Sequence, residues 1–243
     1  IRHSASRCDV TVVSIFVNPT QFGPQEDLAS YPRDLDRDQN ICLGAGTSVL
    51  FLPEASEIYP TGFQTHVEPG ALADGLCGHY RPGHFRGVAT VVAKLFNMVQ
   101  PDLAFFGQKD YQQTAVVRRM ARDLNLPVDV VVVPTVRESD GLALSSRNIY
   151  LDDESRARAL GLSQGLMAAK AAFDAGERQV DRLLAIAAPP MRALDSVQYL
   201  ELVDAQTLEP LKGQVDRSVA LCVAAYMGKT RLIDNVLLTP PLN

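Results

Sequence analysis

The apolar positions of the chain alternate between short continuous runs and longer stretches of helical spacing. Val10 to Val17 is a nearly unbroken run of β-branched and aromatic residues, which predicts a strand buried on both faces of a parallel sheet. It stops at Asn18-Pro19, because proline cannot donate to a ladder and restricts the residue before it. Leu35 to Leu43 predicts a helix closed by Gly44 and Gly46, and Thr47 to Leu52 predicts the next strand, ended by Pro53. Val88, Val91, Val92, Leu95, Phe96 and Val99 follow i, i+3, i+4, i+7, i+8, i+11, so Gly87 to Val99 predicts a helix, with Pro101 just beyond it. Leu103 to Phe106 predicts a buried strand. Tyr111 to Leu124 has helical spacing at Val117, Met120, Ala121 and Leu124, and Val128 to Val133 predicts a further strand. Strands alternating with helices imply a parallel sheet with right-handed crossovers.

After Tyr150 the texture changes. Asp152-Asp153-Glu154 opens an alanine- and leucine-rich helix that is expected to run to about Gly176. A second helix from Val180 is expected to be interrupted by Pro189-Pro190. Three strand-like runs follow, Val197 to Val203, Val219 to Ala225 and Arg231 to Leu238. Helices followed by strands read as a separate α+β unit. The expected fold is therefore α/β, with one domain over residues 1–135 and a smaller C-terminal α+β domain over 136–243 that covers the active site. Glu54 to Gly83, rich in Gly, Pro, Tyr and His with little periodicity, has the length of a functional segment or lid.

Composition narrows the partners. A chain of 243 residues with 47% hydrophobic content has enough apolar material for a real core, and no apolar run approaches the roughly 20 residues needed to span a bilayer. The net charge of −5 gives no footprint for nucleic acid, so a small-molecule partner is expected. Cys8, Cys42, Cys77 and Cys222 are scattered without a C-x-x-C pair, as in a cytoplasmic protein with reduced thiols. The chain begins at Ile1 with no signal-peptide pattern, and the expectation is of a fragment whose N-terminus has been removed.

The candidate chemistry collects where strands are expected to end. Gly107 allows a tight turn, and Gln108, Lys109 and Asp110 follow it at a strand-to-helix junction. Asn18 and Gln21 fall in the corresponding loop after the first strand. In open α/β sheets these strand ends face helix N-termini and take anionic ligands. There is no Walker loop and no G-x-G-x-x-G, so phosphates would be held by other means. Leu144-Ser145-Ser146-Arg147 offers hydroxyls, backbone N–H groups and a guanidinium fork for that purpose, although Ser-Ser-Arg-Asn taken alone is only a polar loop. Arg81 and His84 lie in a ten-residue basic stretch before a helix, which suits anion binding or lid closure better than zinc, since no third ligand is near. Asp34, Asp36 and Asp38 alternate, and one such carboxylate together with substrate phosphates suits Mg²⁺.

Taken together, five motifs in order resemble the pantothenate synthetase family, the pantoate–β-alanine ligases. They are Val13 to Phe22, Tyr31-Pro32-Arg33, Arg81 to Gly87, Phe106 to Gln113 and Asp140 to Asn148, and the ending Arg231-Leu232-Ile233-Asp234-Asn235 fits as well. The resemblance covers essentially the whole chain. It implies a Rossmann-like nucleotidyltransferase domain with a smaller C-terminal domain, a cytoplasmic homodimer, and ATP with Mg²⁺. The implied reaction joins (R)-pantoate to β-alanine through a pantoyl adenylate, releasing pyrophosphate and AMP.

By the same resemblance, Gln21 and Gln113 hold pantoate, with Gln21 also near β-alanine and Asn18 beside them; Arg81 and His84 join the substrate-binding set. Gly107, Gln108, Lys109 and Asp110 contact ATP, Val136 lines the adenine pocket, and Leu144, Ser145, Ser146 and Arg147 form the phosphate-binding loop. Lys109, Ser145 and Arg147 are the implied catalytic residues, and Asp38 serves Mg²⁺. The family also has an H-x-G-H motif after its first strand. His3, His66, His79 and His84 form no such motif, so the expectation is that this chain lacks the segment that carries it. Two other readings stay open: another nucleotidyltransferase of the same superfamily, and a catalytically impaired fragment.

Overall fold

The computed structural model describes residues 1–24 and 26–241. They form two compact units. The first comprises residues 1–73, 78–107 and 113–133; the second comprises 74–77, 108–112 and 134–243.

In the first unit a short helix α1 (Arg2–Ala5) precedes β1 (Val12–Ser14), and Pro19–Gln21 form a 3-10 turn. Helix α2 (Leu35–Gly44) starts at Asp34, whose carboxylate accepts from the Arg37 amide, and it leads to β2 (Val49–Phe51). β1 and β2 pair in parallel. The run Val10 to Val17 is thus mostly not strand, and Val10, Val12 and Val49 are exposed, so the expectation of a strand buried on both faces does not hold. The ladder covers only three residues of each strand, and β-branched composition reports fitness for a pleated surface rather than burial itself.

The expected long loop from Glu54 contains α3 (Ala55–Ile58) and α4 (Leu76–Tyr80), the latter with residues in both units. Helix α5 (His84–Val99) starts three residues earlier than its apolar periodicity indicates. Its face of Phe85, Val88, Ala89, Val91, Val92 and Phe96 is buried. β3 (Leu103–Gly107) pairs in parallel with β4 (Asp129–Val133). Between them a 3-10 turn over Gln108–Asp110 runs into α6 (Tyr111–Asp123). The parallel strands therefore lie in two separate pairs, β1–β2 and β3–β4.

In the second unit, α7 (Asp153–Ala159) is capped by Asp152, whose carboxylate accepts from the Ser155 amide, and α8 (Gly161–Asp174) follows after a break at Leu160. The single helix expected here is therefore two. Helix α9 (Val180–Met191) runs through Pro189 and Pro190, contrary to the expected interruption. Both prolines sit in its last turn, and their carbonyls still accept from the Arg192 and Ala193 amides. Close packing on α8 accounts for this continuity: a Cβ on Gly165 would lie 2.3 Å from the Ala187 carbonyl oxygen, and Met191 is buried. Tertiary contact thus outweighs the missing proline donors.

The antiparallel sheet β5 (Ser196–Asp204), β6 (Val219–Met227) and β7 (Thr230–Leu238) completes the unit, in that spatial order. Its core joins Leu162, Leu166 and Phe173 of α8 to Leu221, Val223 and Val236 of the sheet.

Candidate functional site

In the first unit the side chains after β1 converge on Asn18, which is 2% exposed. Its amide nitrogen donates to the Gly87 carbonyl (3.1 Å) and to Gln21 Oε1 (3.2 Å). Its Oδ1 accepts from the Thr20 amide and hydroxyl, and from the Tyr59 hydroxyl at 2.8 Å. Burial raises the Tyr59 phenol pKa, only partly offset by its bonds to Thr20 and Asn18, so it stays a donor. Gln21 thereby has its carbonyl engaged, while its NH₂ makes no hydrogen bond among the described residues. An open cleft lined by Thr20, Ser56, Tyr59, Pro60 and Phe63 adjoins this cluster.

The backbone of Gln21 is held separately. Its carbonyl oxygen lies 2.8 Å from His84 Nδ1 and accepts from Arg81 Nη2 at 3.2 Å. Arg81 also donates to His84 Nε2 at 3.0 Å and forms a bidentate pair with Glu26, 2.6 Å at each contact. Burial would raise the Glu26 carboxyl pKa, but the Arg81 guanidinium outweighs it and holds the group below the usual glutamate value. Arg81 and His84, expected to bind anions, are therefore engaged within the protein. Sequence reasoning missed Glu26, Thr20 and Tyr59, which lie 55, 61 and 22 residues from Arg81. Of these only Tyr59, an aromatic in the Gly- and Pro-rich stretch, carried any signal. Gln113 lies on α6, half-buried, with no side-chain hydrogen bond among the described residues; Asp38 lies in the first turn of α2.

In the second unit the Gln108–Asp110 turn is fastened to β7. Asn235, 2% exposed, donates through its amide to the carbonyls of Gln108 (3.0 Å) and Lys109 (2.9 Å), and its Oδ1 accepts from Gln108 Nε2 at 3.3 Å. Lys109 Nζ meets Asp110 only at 3.9 Å, and its side chain is 19% exposed.

A hairpin clip from Val136 to Leu144 carries the other candidate loop. Glu138 donates its amide to the Leu142 carbonyl and Leu144 donates its amide to the Val136 carbonyl. The clip is anchored by Arg137, which donates to Asp234 at 2.6 and 3.0 Å and to the Gly141 carbonyl. The Ser145 hydroxyl oxygen accepts from the Arg147 amide, opening a 3-10 turn over Ser146–Tyr150. Asn148 in that turn donates to Glu138 (2.6 Å), which Arg156 also contacts at 2.7 Å. Those two donors, Arg156 first, hold the Glu138 carboxyl below its usual pKa. Val136 and Leu144 are thus brought together, both largely exposed, at the mouth of the clip.

Among the described residues no group of three His, Cys, Asp or Glu side chains has the arrangement of a metal site. A single carboxylate such as Asp38 suits only an ion that keeps waters and arrives with phosphate ligands, which is the coordination habit of Mg²⁺.

The profile of the pantoate–β-alanine ligase family matches residues 1–237. The chain is 62% identical over 238 residues to pantothenate synthetase 1 of Bradyrhizobium diazoefficiens, covering 97% of this chain and 84% of that protein. The crystal structure of pantothenate synthetase from Thermus thermophilus superposes with a TM-score of 0.94 at 48% identity, covering 98% of this chain and 87% of that one. The pantoate–β-alanine ligase of Francisella tularensis, solved with β-γ ATP and β-alanine, gives a TM-score of 0.79 at 33% identity, covering 97% and 82%.

Proposed function

The chain belongs to the pantoate–β-alanine ligase family, and from that premise we propose how its residues share the work. The reaction is the ATP-dependent joining of pantoate to β-alanine. A carboxylate oxygen of pantoate attacks the α-phosphorus and pyrophosphate leaves. The amine of β-alanine then attacks the acyl carbon of the pantoyl adenylate, and AMP leaves. No protein nucleophile is needed, so catalysis is positioning plus stabilisation of the charge that gathers on pyrophosphate.

Gln21 and Gln113 hold pantoate, with Gln21 also beside β-alanine and Asn18 orienting the Gln21 amide. Gly107 to Asp110 contact ATP, Lys109 on its phosphates. Leu144 to Arg147 form the phosphate-binding loop, in which Ser145, Ser146 and Arg147 take phosphate oxygens, and Val136 lines the adenine pocket. Arg81 and His84 serve pantoate by holding the Gln21 backbone. Asp38 would supply the protein carboxylate for a Mg²⁺ ion carried by ATP, which would neutralise charge on the phosphates. Residues 1–135 act as the ATP- and pantoate-binding domain and 136–243 as the smaller domain. The working form is a homodimer in the cytoplasm, a location supported by four cysteines that are all free thiols.

The observation that carries this division is the contrast in how cations are paired. Arg81 is neutralised by a bidentate carboxylate, leaving amides and hydroxyls around Gln21 for an uncharged grip on a hydroxy acid. Lys109 meets its ionic partner only at 3.9 Å, leaving its charge for phosphate. The test is exchange of labelled pyrophosphate into ATP with and without pantoate, followed by AMP release on adding β-alanine. Exchange that does not depend on pantoate would sink the reading and favour another nucleotidyltransferase.

A further inference from the structure

We propose that Asn235 is a positioning residue for ATP, and that the Asp234–Asn235 pair of β7 sets both segments assigned to the triphosphate. The inference rests on the roles given above to Gln108–Asp110 and Ser145–Arg147. Successive residues of a strand point to opposite faces, so the pair reaches two segments at once. On one face, Asn235 spends both amide hydrogens on consecutive carbonyls, those of Gln108 and Lys109, and receives the Gln108 side-chain amide in return. Fixing two successive carbonyls fixes the peptide planes between and after them, and so the direction in which Lys109 leaves the backbone. On the other face, Asp234 grips Arg137 bidentately, and Arg137 also donates to the Gly141 carbonyl within the clip that leads into Ser145.

Three features mark this as more than strand packing. Both residues are almost wholly buried, at 3% and 2% exposure, where a polar group is expensive unless it is bonded. Their bonds go chiefly outward, to residues about a hundred positions away in the sequence, rather than into the sheet. The strand itself does not need them, because Leu232, Val236 and Leu238 supply its apolar anchorage and the ladder to β6 runs unbroken from Val219 to Met227. Asn235 touches no substrate on this reading; it acts through Lys109.

The test is calorimetric titration of the whole chain with Mg·ATP and, separately, with pantoate. Asn235→Ala is expected to weaken ATP binding on the order of tenfold to a hundredfold while pantoate affinity is unchanged. Asn235→Ser, which keeps one donor for two carbonyls, should fall between, and it carries the test if Asn235→Ala does not fold. Val236→Ala, the next residue on the strand, removes buried apolar contact without touching the amide, so it should lower the melting temperature and leave ATP affinity intact. Parent-like ATP affinity in the Asn235 variants overturns the inference, and so does a Val236→Ala variant that loses ATP equally. A parent chain that binds pantoate but no ATP would instead bring down the assignment of Gln108–Asp110, and this inference with it.

Discussion

His84 turns one ring nitrogen to the backbone carbonyl of Gln21, 2.8 Å away, and the other to Arg81, 3.0 Å away. A guanidinium can only donate and a carbonyl can only accept, so the ring carries its proton on Nδ1 and accepts at Nε2. Nitrogen NMR of the histidine ring at neutral pH is expected to show the Nδ1–H tautomer at His84, and an Nε2–H pattern would contradict the arrangement. Arg81→Lys keeps the charge but loses the fork that joins Glu26, His84 and Gln21. It should weaken pantoate binding by about tenfold, the equivalent of about 1.4 kcal/mol, with ATP binding retained.

Gly87 presents its backbone to the same turn. A Cβ there would sit 2.5 Å from the Thr20 carbonyl oxygen, and the Gly87 carbonyl is the acceptor of Asn18 Nδ2. The atoms such a Cβ would meet belong to the Thr20 and Gln21 backbone and not to a flexible side-chain end, so Gly87→Ala must shift the turn that carries Gln21. A loss of about 1–3 kcal/mol in urea unfolding is expected, together with weaker pantoate binding. An alanine variant with parental stability and parental pantoate affinity would show that the turn does not depend on this close approach.

These contacts mark the limit of what the sequence made legible. The alternation of strand and helix, the helical faces of α5 and α6 and the three C-terminal strands follow from apolar periodicity, which is local. The break at Leu160 and the passage of α9 through two prolines were not legible from periodicity; α9 runs close against α8, where a Cβ on Gly161 or Gly165 would meet the Pro190 or Ala187 carbonyl, and such a contact is not local in sequence. Among the site residues, Asn18, Gln21, Lys109 and Arg147 stood out because they sit at strand ends or in polar loops. Glu26, Tyr59 and Asn235 did not, because each matters through a partner far away in sequence, and Glu138 did not, because it matters only through the fold that returns Asn148 and Arg156 to it.

The Ser145–Arg147 turn allows charge to be separated from geometry. Ser145 caps the turn by accepting from the Arg147 amide, and Asn148 is braced by Glu138. Arg147→Lys leaves that backbone frame and the positive charge in place but removes the planar fork suited to phosphate. The expected result is a fall in kcat/KM for ATP on the order of a hundredfold with the KM for pantoate unchanged, read from steady-state AMP release. Equal kinetics in parent and variant would mean that Arg147 supplies no directed contact to the triphosphate.

Asp204 at the end of β5 couples acid stability to the Lys109 segment. Its Oδ1 accepts from the amides of Gln206 and Thr207, both at 2.8 Å, and its Oδ2 accepts from Arg217 at 2.6 Å. Burial acts to raise its pKa, but these bonds outweigh it and hold the carboxyl at about 2, against an ordinary 3.8. A depressed carboxyl pKa stabilises the fold while the group is ionised. The contribution is therefore complete above the ordinary value and is lost as pH falls through about 2. Urea unfolding of the parent and of Asp204→Asn should differ most at pH 5 and above, by on the order of 2 kcal/mol, and converge toward pH 2. A gap that stays constant with pH would show that the asparagine loses only a hydrogen bond. The turn that Asp204 closes also presents the Ala205 carbonyl, which accepts from the Tyr111 hydroxyl at 2.7 Å. Tyr111 follows the Lys109 turn by one residue beyond Asp110, so Asp204→Asn should loosen ATP binding even at neutral pH, where the parent carboxylate is fully ionised.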